Sequence, residues 1–461
     1  MIPDSGGDTI VALATPPGRG AVALVRMSGD RALEIAAVHI APWPAAYRAV
    51  TLCRLHGQTS DDVLDQALVT VFAKPDSFTG EDLVEISTHG GQYTPARVMT
   101  ALISSGARPA LPGEFTRRAV LNGKMDITQA EAIGDLIDSR SSAMHRAAMM
   151  QFDGGLSRRM ISLRERVIEM EALIAYDIDF PEEDDGPVPE YRIAESASGL
   201  LTSLDMLLAT VPTGEIVREG AVVVIAGAPN AGKSSLFNAM LGQARAIVTS
   251  IPGTTRDAIE GQIETLNWPV RLVDTAGLRH TDDLLEKLGI EVSETYLARA
   301  HVVLACGDTD DSVEKTLEAV RNRSTATVIG IRTKSDLQES NQSTTGGSAA
   351  IGSSVSRHFT SAETGSGLAE LLQSIDEALT QTVGAPVAEY PVLMRTRHVD
   401  GIRRARDETA MFMDVWRHQL LPAPVAAAHL RAAAFALEEM IGAVSTDDVL
   451  DRVFSSFCVG K

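Results

Sequence analysis

Residues 221–235, AVVVIAGAPNAGKSS, set the architecture of the centre of the chain. Residues 227–234 fit the pattern G-x-x-x-x-G-K-[ST], the apolar run before them predicts a strand, and a helix is predicted from Ser235. In that context glycines let backbone N–H groups approach phosphate, and the helix N-terminus favours its negative charge. Lys233 then reaches the outer phosphates, and the hydroxyl of Ser234 is a ligand for Mg2+. The stretch therefore predicts a phosphate-binding loop in an α/β domain.

Further motifs follow the loop in order: GTTRD at 253–257, DTAG at 274–277, TKSD at 333–336, and then Ser361-Ala362. DTAG comes after the strand-like RLV, and TKSD comes after the strand-like TVIGI. Alternating strand-like and helix-like segments predict a doubly wound, mostly parallel sheet. This ordered set resembles the TRAFAC class of GTPases.

The resemblance implies a role for each motif. Thr255 completes the coordination of Mg2+, Asp274 lies behind the ion, Gly277 contacts the γ-phosphate and Asp336 selects guanine. The residues expected to contact GTP are Asn230, Ala231, Gly232, Lys233, Ser234, Ser235, Thr249, Ser250, Ile251, Pro252, Gly253, Thr254, Thr255, Asp274, Thr275, Ala276, Gly277, Thr333, Lys334, Ser335, Asp336, Ser361 and Ala362.

Two positions depart from the usual pattern of the class. Thr333 replaces the asparagine of N-K-x-D, which leaves one contact near the base open while the pairing by Asp336 is retained. Leu278 follows Gly277, where Ras-like proteins have a glutamine that orients the attacking water. Another group must position water in this chain.

Asn230 and the segment TSIPGTT, 249–255, resemble the potassium-activated GTPases. The resemblance implies that the side chain of Asn230 and the carbonyls of Thr249, Ile251 and Thr254 hold K+ against the phosphates. Such a cation stabilises the charge that an arginine would otherwise stabilise. By the same resemblance Glu286, in DDLLEKLGIE, orients water; from its residues alone it is a solvated helix carboxylate.

Composition bounds the whole chain. At about 150 residues per domain, its 461 residues suggest about three domains. The net charge of -20 excludes a protein that coats nucleic acid non-specifically, because phosphate contacts need Lys and Arg. Three cysteines are too few for a disulfide scaffold and indicate the reducing cytoplasm. Neither a signal peptide nor an apolar run of about 18 residues is present, so we expect no membrane span.

The flanks predict two further domains. Short strand-like runs and turn clusters over 8–120 predict a small α+β domain, whereas apolar residues from Met125, and again from Arg395, recur at helical spacing. We predict an α/β domain inserted into a helical one. The expected boundaries are 1–122 for the α+β domain, 123–215 and 379–461 for the two helical halves, and 216–378 for the GTPase domain.

Four stretches of the flanks resemble one family, the tRNA modification GTPases called MnmE or TrmE. They are ATPPGRGAVALVRMSG at 14–29, SFTGEDLVEISTHGG at 77–91, LPGEFTRRAVLNGKMDITQAEA at 111–132 and TDDVLDRVFSSFCVGK at 446–461. The resemblance implies an N-terminal domain that is similar to folate-binding aminomethyltransferase domains and binds a 5-formyl- or methylene-tetrahydrofolate. The positions implied for folate are Arg26, Glu85, Lys124 and Lys461.

The reaction implied by the family builds an aminomethyl or carboxymethylaminomethyl group on carbon 5 of the wobble uridine of certain tRNAs. A homodimer would act with the flavoprotein MnmG (GidA) in a cytoplasmic heterotetramer. Two rivals remain open: a ribosome-assembly-type RNA-binding GTPase, which would need a basic module, and a metabolic aminomethyltransferase, which would not need the GTPase.

The terminal FSSFCVGK carries the cysteine of interest. Gly460 and Lys461 do not fit a prenylation box, and Cys458 lacks partners for a disulfide or a metal site. A thiolate could add to carbon 6 of uracil and so activate carbon 5, which makes Cys458 a candidate catalytic residue. Whether Cys458, the partner protein or neither performs that step is open. Cys53 and Cys306 are expected to be ordinary strand residues.

Overall fold

A computed structural model describes residues 7–43, 47–59, 61–179, 190–243, 259–274, 295–337, 357–384, 391–442, 450, 453–455 and 457–460. The chain divides into two compact units. Unit 1 comprises 1–134, 151–164 and 434–461, and unit 2 comprises 135–150 and 165–433. The predicted domain boundaries are not tested by this division and stay a prediction.

Unit 1 contains a mostly antiparallel sheet. Its strands are β1 Ile10–Leu13, β2 Val22–Ser28, β3 Ile40–Ala41, β4 Thr51–His56, β5 Val63–Phe72, β6 Leu83–His89 and β7 Arg108–Pro109. The described strands are ordered β3-β4-β5-β6-β2-β1-β7, and only β1 and β7 pair in parallel.

Helices cover one face of this sheet. Helix α1, Ala32–His39, and helix α2, Tyr93–Ser104, pack on it through Ile35, Val98 and Leu102. Because strand side chains alternate between faces, Val25 and Met27 join this core while the residue between them lies on the opposite face. Helix α3, Glu114–Leu121, contributes Phe115 to a second cluster with Ile10 and Ala12.

Unit 2 contains the predicted doubly wound sheet. Its strands are β8 Ala221–Gly227, β9 Ile259–Glu264, β10 Pro269–Asp274, β11 Val302–Gly307, β12 Thr327–Arg332 and β13 Arg357–Phe359. The described strands are ordered β13-β12-β11-β8-β10-β9, and all neighbours are parallel except β9 and β10. Strand β8 is buried from Ala221 to Ala226, as expected of an inner parallel strand covered on both faces.

The other helices follow the apolar spacing of the sequence. They are α4 Ile127–Asp138, α5 Ser142–Phe152, α6 Gly155–Asp179, α7 Glu190–Leu208, α8 Val211–Glu219, α9 Lys233–Gln243, α10 Asp310–Arg321, α11 Leu368–Val383, α12 Thr396–Arg417 and α13 Ala423–Ile441. Within unit 2, α7 packs along α12, whose buried Ile402, Ala405 and Phe412 face inward.

One described stretch, 191–219, could cross a membrane by length and composition alone, and the most apolar 18-residue window within it has a mean hydropathy of 1.3. It spans α7 and α8, and half of that window is buried within the protein. A single such stretch is weak evidence for a membrane span, because core helices pass the same test.

The fold class predicted from the sequence is confirmed: an N-terminal α+β part, helical segments and an inserted P-loop GTPase domain. Three details differ. The small pair β3 and β4 was not anticipated, β9 adds an antiparallel edge to the parallel sheet, and α9 begins at Lys233 and not at Ser235. Cys53 and Cys306 are buried strand residues, as expected.

Candidate functional sites

The phosphate loop connects β8 to α9 through a left-handed turn. Asn230 has a φ of 63° and Gly232 a φ of 80°, which is the region that favours glycine. A Cβ atom on Gly232 would lie 3.2 Å from the Cβ of Thr333. Gly232 therefore lets the loop approach the T-K-S-D motif closely.

Lys233 and Ser234 begin α9 and point to the carboxyl ends of the strands. The Nζ of Lys233 donates to the carbonyls of Gly227, at 3.0 Å, and Ala228, at 2.8 Å. The hydroxyl of Ser234 donates to the Oδ2 of Asp274 at 2.6 Å, and Asp274 is fully buried at the end of β10. Hydroxyl and carboxylate oxygens are the ligands that Mg2+ prefers, so these two residues fit that ion.

The T-K-S-D motif is bonded to the same loop. The hydroxyl of Thr333 donates to the carbonyl of Ala231 at 2.8 Å, and the Nζ of Lys334 donates to the carbonyl of Asn230 at 3.0 Å. Both contacts join residues more than 100 positions apart, and they place the guanine motif beside the phosphate loop.

Asp336 lies in a short 3-10 turn, Ser335–Leu337, with its side chain exposed. The backbone N–H of Ser335 donates to the carbonyl of Thr360 at 3.1 Å, which brings the motif next to Ser361 and Ala362 beyond the end of β13. The phosphate and guanine motifs thus meet at the carboxyl ends of the strands, which is where doubly wound proteins bind ligands.

Cys306 lies beneath the loop. Burial raises the pKa of its thiol to about 12, with nearby Asp274 raising it further and Lys233 lowering it. A thiol with that pKa stays protonated near neutrality, which agrees with the absence of any chemistry assigned to it from the sequence.

Several predicted site residues lie outside the described residues. They are Thr249, Ser250, Ile251, Pro252, Gly253, Thr254, Thr255, Thr275, Ala276, Gly277, Glu286 and Lys461. Their roles stay predictions.

In unit 1, Arg26 and Glu85 are cross-strand partners on the face of the sheet opposite α1 and α2. Both the Nε and the Nη2 of Arg26 donate to the Oε1 of Glu85, at 2.9 and 2.7 Å. The guanidinium carbon lies 5.3 Å from the ring centre of Phe78 and 5.8 Å from that of Phe115. The rings and the ion pair together fix Arg26.

Lys124 is held over the loop that carries Phe78. Its Nζ donates to the carbonyl of Pro75 at 3.0 Å, and the side-chain amide of Asn122 donates to the carbonyl of Thr79 at 2.7 Å. A Cβ on Gly80 would lie 2.9 Å from the Cβ of Asn122, so glycine is needed for this approach. Arg26, Glu85 and Lys124 are therefore connected through the 75–80 loop.

An ionic network around the buried side chains of Glu114 and Arg118 supports this region, and it was not predicted from the sequence. Arg108 pairs with Glu114 at 2.5 Å, and Arg118 pairs with Asp8 at 2.5 Å and with Glu81 at 3.1 Å. Burial alone would raise the pKa of the Glu114 carboxyl, but hydrogen bonds from Arg108 and from the backbone of Leu111 lower it overall. The available signal was the charged run at 114–118 within LPGEFTRR.

The C-terminal tail lies against the start of α3 and the end of β1. The N–H of Gly113 donates to the carbonyl of Cys458 at 3.3 Å. A Cβ on Gly113 would lie 2.7 Å from the carbonyl oxygen of Phe454, and one on Gly460 would lie 2.5 Å from that of Leu13. Cys458 itself is exposed and unpaired with any other cysteine.

The phosphate loop, the acid at the end of β10 and the guanine motif at the same sheet edge define a P-loop GTPase domain. Comparison with known families then identifies the whole chain. A family model described as the MnmE helical domain matches residues 127–458, and one described as the GTP-binding protein TrmE N-terminus matches residues 9–124.

Curated relatives match the full length. The tRNA modification GTPase MnmE of Moorella thermoacetica is 39% identical over 98% of this chain and 99% of its own. The corresponding protein of Neisseria meningitidis serogroup B is 39% identical with the same coverage, and that of Aquifex aeolicus is 36% identical over 98% and 100%. The chain belongs to the MnmE family. Among solved structures, the G domain of the T. maritima FeoB iron transporter covers 34% of this chain and 98% of its own at 25% identity, but its TM-score of 0.25 supports no conclusion.

Proposed function

We propose that the protein is a GTP-hydrolysing tRNA modification enzyme. The observation that carries the proposal is the pair formed by Ser234 and Asp274 beside Lys233, at the sheet edge that also presents Asp336. The full-length relatives, which are named as tRNA modification GTPases, favour this function over a ribosome-assembly GTPase or a metabolic aminomethyltransferase.

The phosphate end of GTP is assigned to the loop 227–234. Lys233, already directed into the loop by two carbonyls, binds the outer phosphates, and Ser234 holds Mg2+ with Asp274 behind it. Mg2+, when bound, neutralises the charge that develops on the phosphates. By resemblance, Thr255 adds a further ligand and Gly277 contacts the γ-phosphate.

A K+ ion and a water-positioning acid complete the GTPase assignment. Asn230 is a fitting cation ligand, since its backbone is held by Lys334 while its side chain is exposed at the loop. The carbonyls of Thr249, Ile251 and Thr254, and Glu286 as the residue that orients water, are assigned by resemblance to the family alone.

The N-terminal part is assigned to a one-carbon tetrahydrofolate. Arg26 binds only the Oε1 of Glu85, and among the described contacts Oε2 accepts no hydrogen bond, so it is available for the N–H groups of a pterin. Phe78, which is partly exposed and lies against Arg26, offers aromatic surface, and Lys124 and Lys461 offer positive charge to a glutamate tail. The residues present therefore fit this ligand.

The proposed reaction requires both the GTPase domain and the N-terminal part. The folate supplies a methylene group that becomes bonded to carbon 5 of the wobble uridine, and glycine or ammonium supplies the amine that this methylene carries. Cys458, on a tail held against the N-terminal sheet, is the candidate for addition to carbon 6. We further propose a cytoplasmic homodimer that acts on tRNA with the flavoprotein MnmG in a heterotetramer.

The cation assignment gives the experiment. GTP hydrolysis by the purified chain should be far faster in K+ than in Na+ at equal ionic strength. Asn230→Ala should abolish that difference, whereas Asn238→Ala, an exposed asparagine on α9, should retain it. Equal rates of GTP hydrolysis in the two salts would contradict the assignment of a K+ site. The absence of hydrolysis in both salts would contradict the proposed function.

A further inference from the structure

Thr333 occupies the position at which this class of GTPase usually has asparagine, and the structure shows what its hydroxyl does. Thr333 is 4% exposed, between the phosphate loop and β11. Its Oγ1 lies 2.8 Å from the carbonyl oxygen of Ala231 and 3.2 Å from that of Gly307. Both neighbours are acceptors, so the hydroxyl must be the donor.

Threonine and asparagine differ at this position in the number of hydrogen-bond donors that the side chain carries. A hydroxyl has one hydrogen, and the hydrogen of Thr333 is used by a backbone carbonyl. An asparagine amide has two N–H groups, so it can hold the same carbonyl and still donate to a base. Atom N7 of guanine is an acceptor, and a contact to it needs such a donor.

Close packing keeps the hydroxyl in this role. The position of a Cβ on Gly232 lies 3.2 Å from both the Cβ and the Oγ1 of Thr333, and 3.5 Å from its Cγ2. A β-branched side chain is also restricted at χ1, so turning the hydroxyl toward a base would cost both packing and its bond to Ala231. The adjacent Lys334 is directed to the carbonyl of Asn230.

We infer that Thr333 is a tether between the guanine motif and the phosphate loop, and that this nucleotide site recognises guanine through Asp336 without a contact to N7. The inference rests on the proposed GTP binding and specifies the base atoms that are used. The carboxylate of Asp336 accepts from the N1–H and the 2-amino group, which adenine does not present in that arrangement.

The test compares GDP with 7-deaza-GDP, in which a C–H group replaces N7. Dissociation constants of the full chain are measured by displacement of a fluorescent GDP. The wild-type protein should bind the two nucleotides with equal affinity, within about twofold. Thr333→Asn should lose about fivefold in affinity for 7-deaza-GDP relative to GDP, which is the size of one neutral hydrogen bond.

Two further variants keep the test decisive if the asparagine variant does not fold. Thr333→Ser retains the hydroxyl and should keep the equal affinities of the wild type. Thr333→Val removes it without changing the shape, leaves the carbonyl of Ala231 without its donor, and should weaken both nucleotides by the same factor. A fivefold preference of the wild-type protein for GDP would overturn the inference. Failure of the proposed function would look different, as absent binding of GDP or equal binding of ADP.

Discussion

Replacing Gly460 by alanine tests whether close backbone packing holds the C-terminal tail against the N-terminal sheet. Gly460 has a φ of 95°, and an added Cβ would lie 2.5 Å from the carbonyl oxygen of Leu13 and 2.9 Å from the Cα of Ala14. Both are backbone atoms of the end of β1 or its neighbour, so no side chain can move to relieve the overlap. The tail must therefore leave its position.

The size of the effect follows from two contributions to the docked tail of the variant. A left-handed backbone costs an alanine about 1–2 kcal/mol. The overlap with the backbone of Leu13 and Ala14 adds to that cost, whereas the hydrogen bond from Gly113 to Cys458 is lost on displacement in both proteins and does not contribute to the difference. A total of about 2 kcal/mol or more raises the population of the displaced tail by a factor of about 30.

Hydrogen exchange at the amide of Gly113 reports this displacement directly, and it should become on the order of 30 times faster in Gly460→Ala. Gly384→Ala is the matched control, because Gly384 has the same φ of 95° with nothing within 4 Å of its Cβ position. It should leave exchange at Gly113 unchanged. If Cys458 acts as proposed, Gly460→Ala should also lower wobble-uridine modification while GTP hydrolysis continues.

Unchanged protection of Gly113 in Gly460→Ala would show that close packing against Leu13 does not hold the tail in place, since the tail would then tolerate a Cβ at position 460. Faster exchange at Gly113 in both variants would show a general loss of stability and would contradict a displacement specific to the tail.

Two other changes have defined outcomes. Glu114→Gln should lower the free energy of unfolding by about 2 kcal/mol in urea at neutral pH, because it removes the buried charge that hydrogen-bonds to both Arg108 and Arg118, although Asp8 and Glu81 still pair with these arginines; the exposed control Glu34→Gln should not change it measurably. The pKa of the Glu114 carboxyl is lowered from its ordinary value of 4.5, so its ionised form stabilises the fold at pH values above 4.5, and this stabilisation is lost as the pH falls through the lowered pKa. The wild type should therefore lose more stability in acid than Glu114→Gln. Equal losses in the two proteins would contradict the pairing of Glu114 with the arginines. The carboxylate of Glu264 accepts a hydrogen bond from the N–H of Ser142 at 2.6 Å and so caps the start of α5. Glu264→Ala should therefore speed amide hydrogen exchange at the start of α5, while exchange in α10 serves as the unchanged reference. Unchanged exchange at Ser142 would contradict this cap.

Local signals account for what the sequence predicted. The phosphate loop is recognisable because its glycines, lysine and serine are contiguous and are flanked by a strand and a helix. The short strand-like runs predicted over 8–120 correspond to strands such as β2, β5 and β6, and the helical spacing of apolar residues from Met125 corresponds to helices that include α6. These patterns depend on neighbours within one element.

The missed features depend on residues that are distant in the chain. Thr333 could be seen to depart from the usual motif, but its acceptor, the carbonyl of Ala231, is 102 positions away. Arg118 and Asp8 pair across 110 positions, and charged residues in an amphipathic helix are ordinarily solvated, so nothing local marked them as buried. The short β3 and the antiparallel β9 form strands because they pair with β4 and β10, and the periodicity of a sequence does not reveal such pairing.

The most direct test of the account is mass spectrometry of wobble nucleosides in tRNA from cells that lack the protein. Its absence should remove the 5-aminomethyl or 5-carboxymethylaminomethyl uridines, the wild-type protein should restore them, and Lys233→Ala, which lacks the phosphate-binding amine, should not. Unchanged 5-substituted uridines in cells that lack the protein would contradict the proposed function.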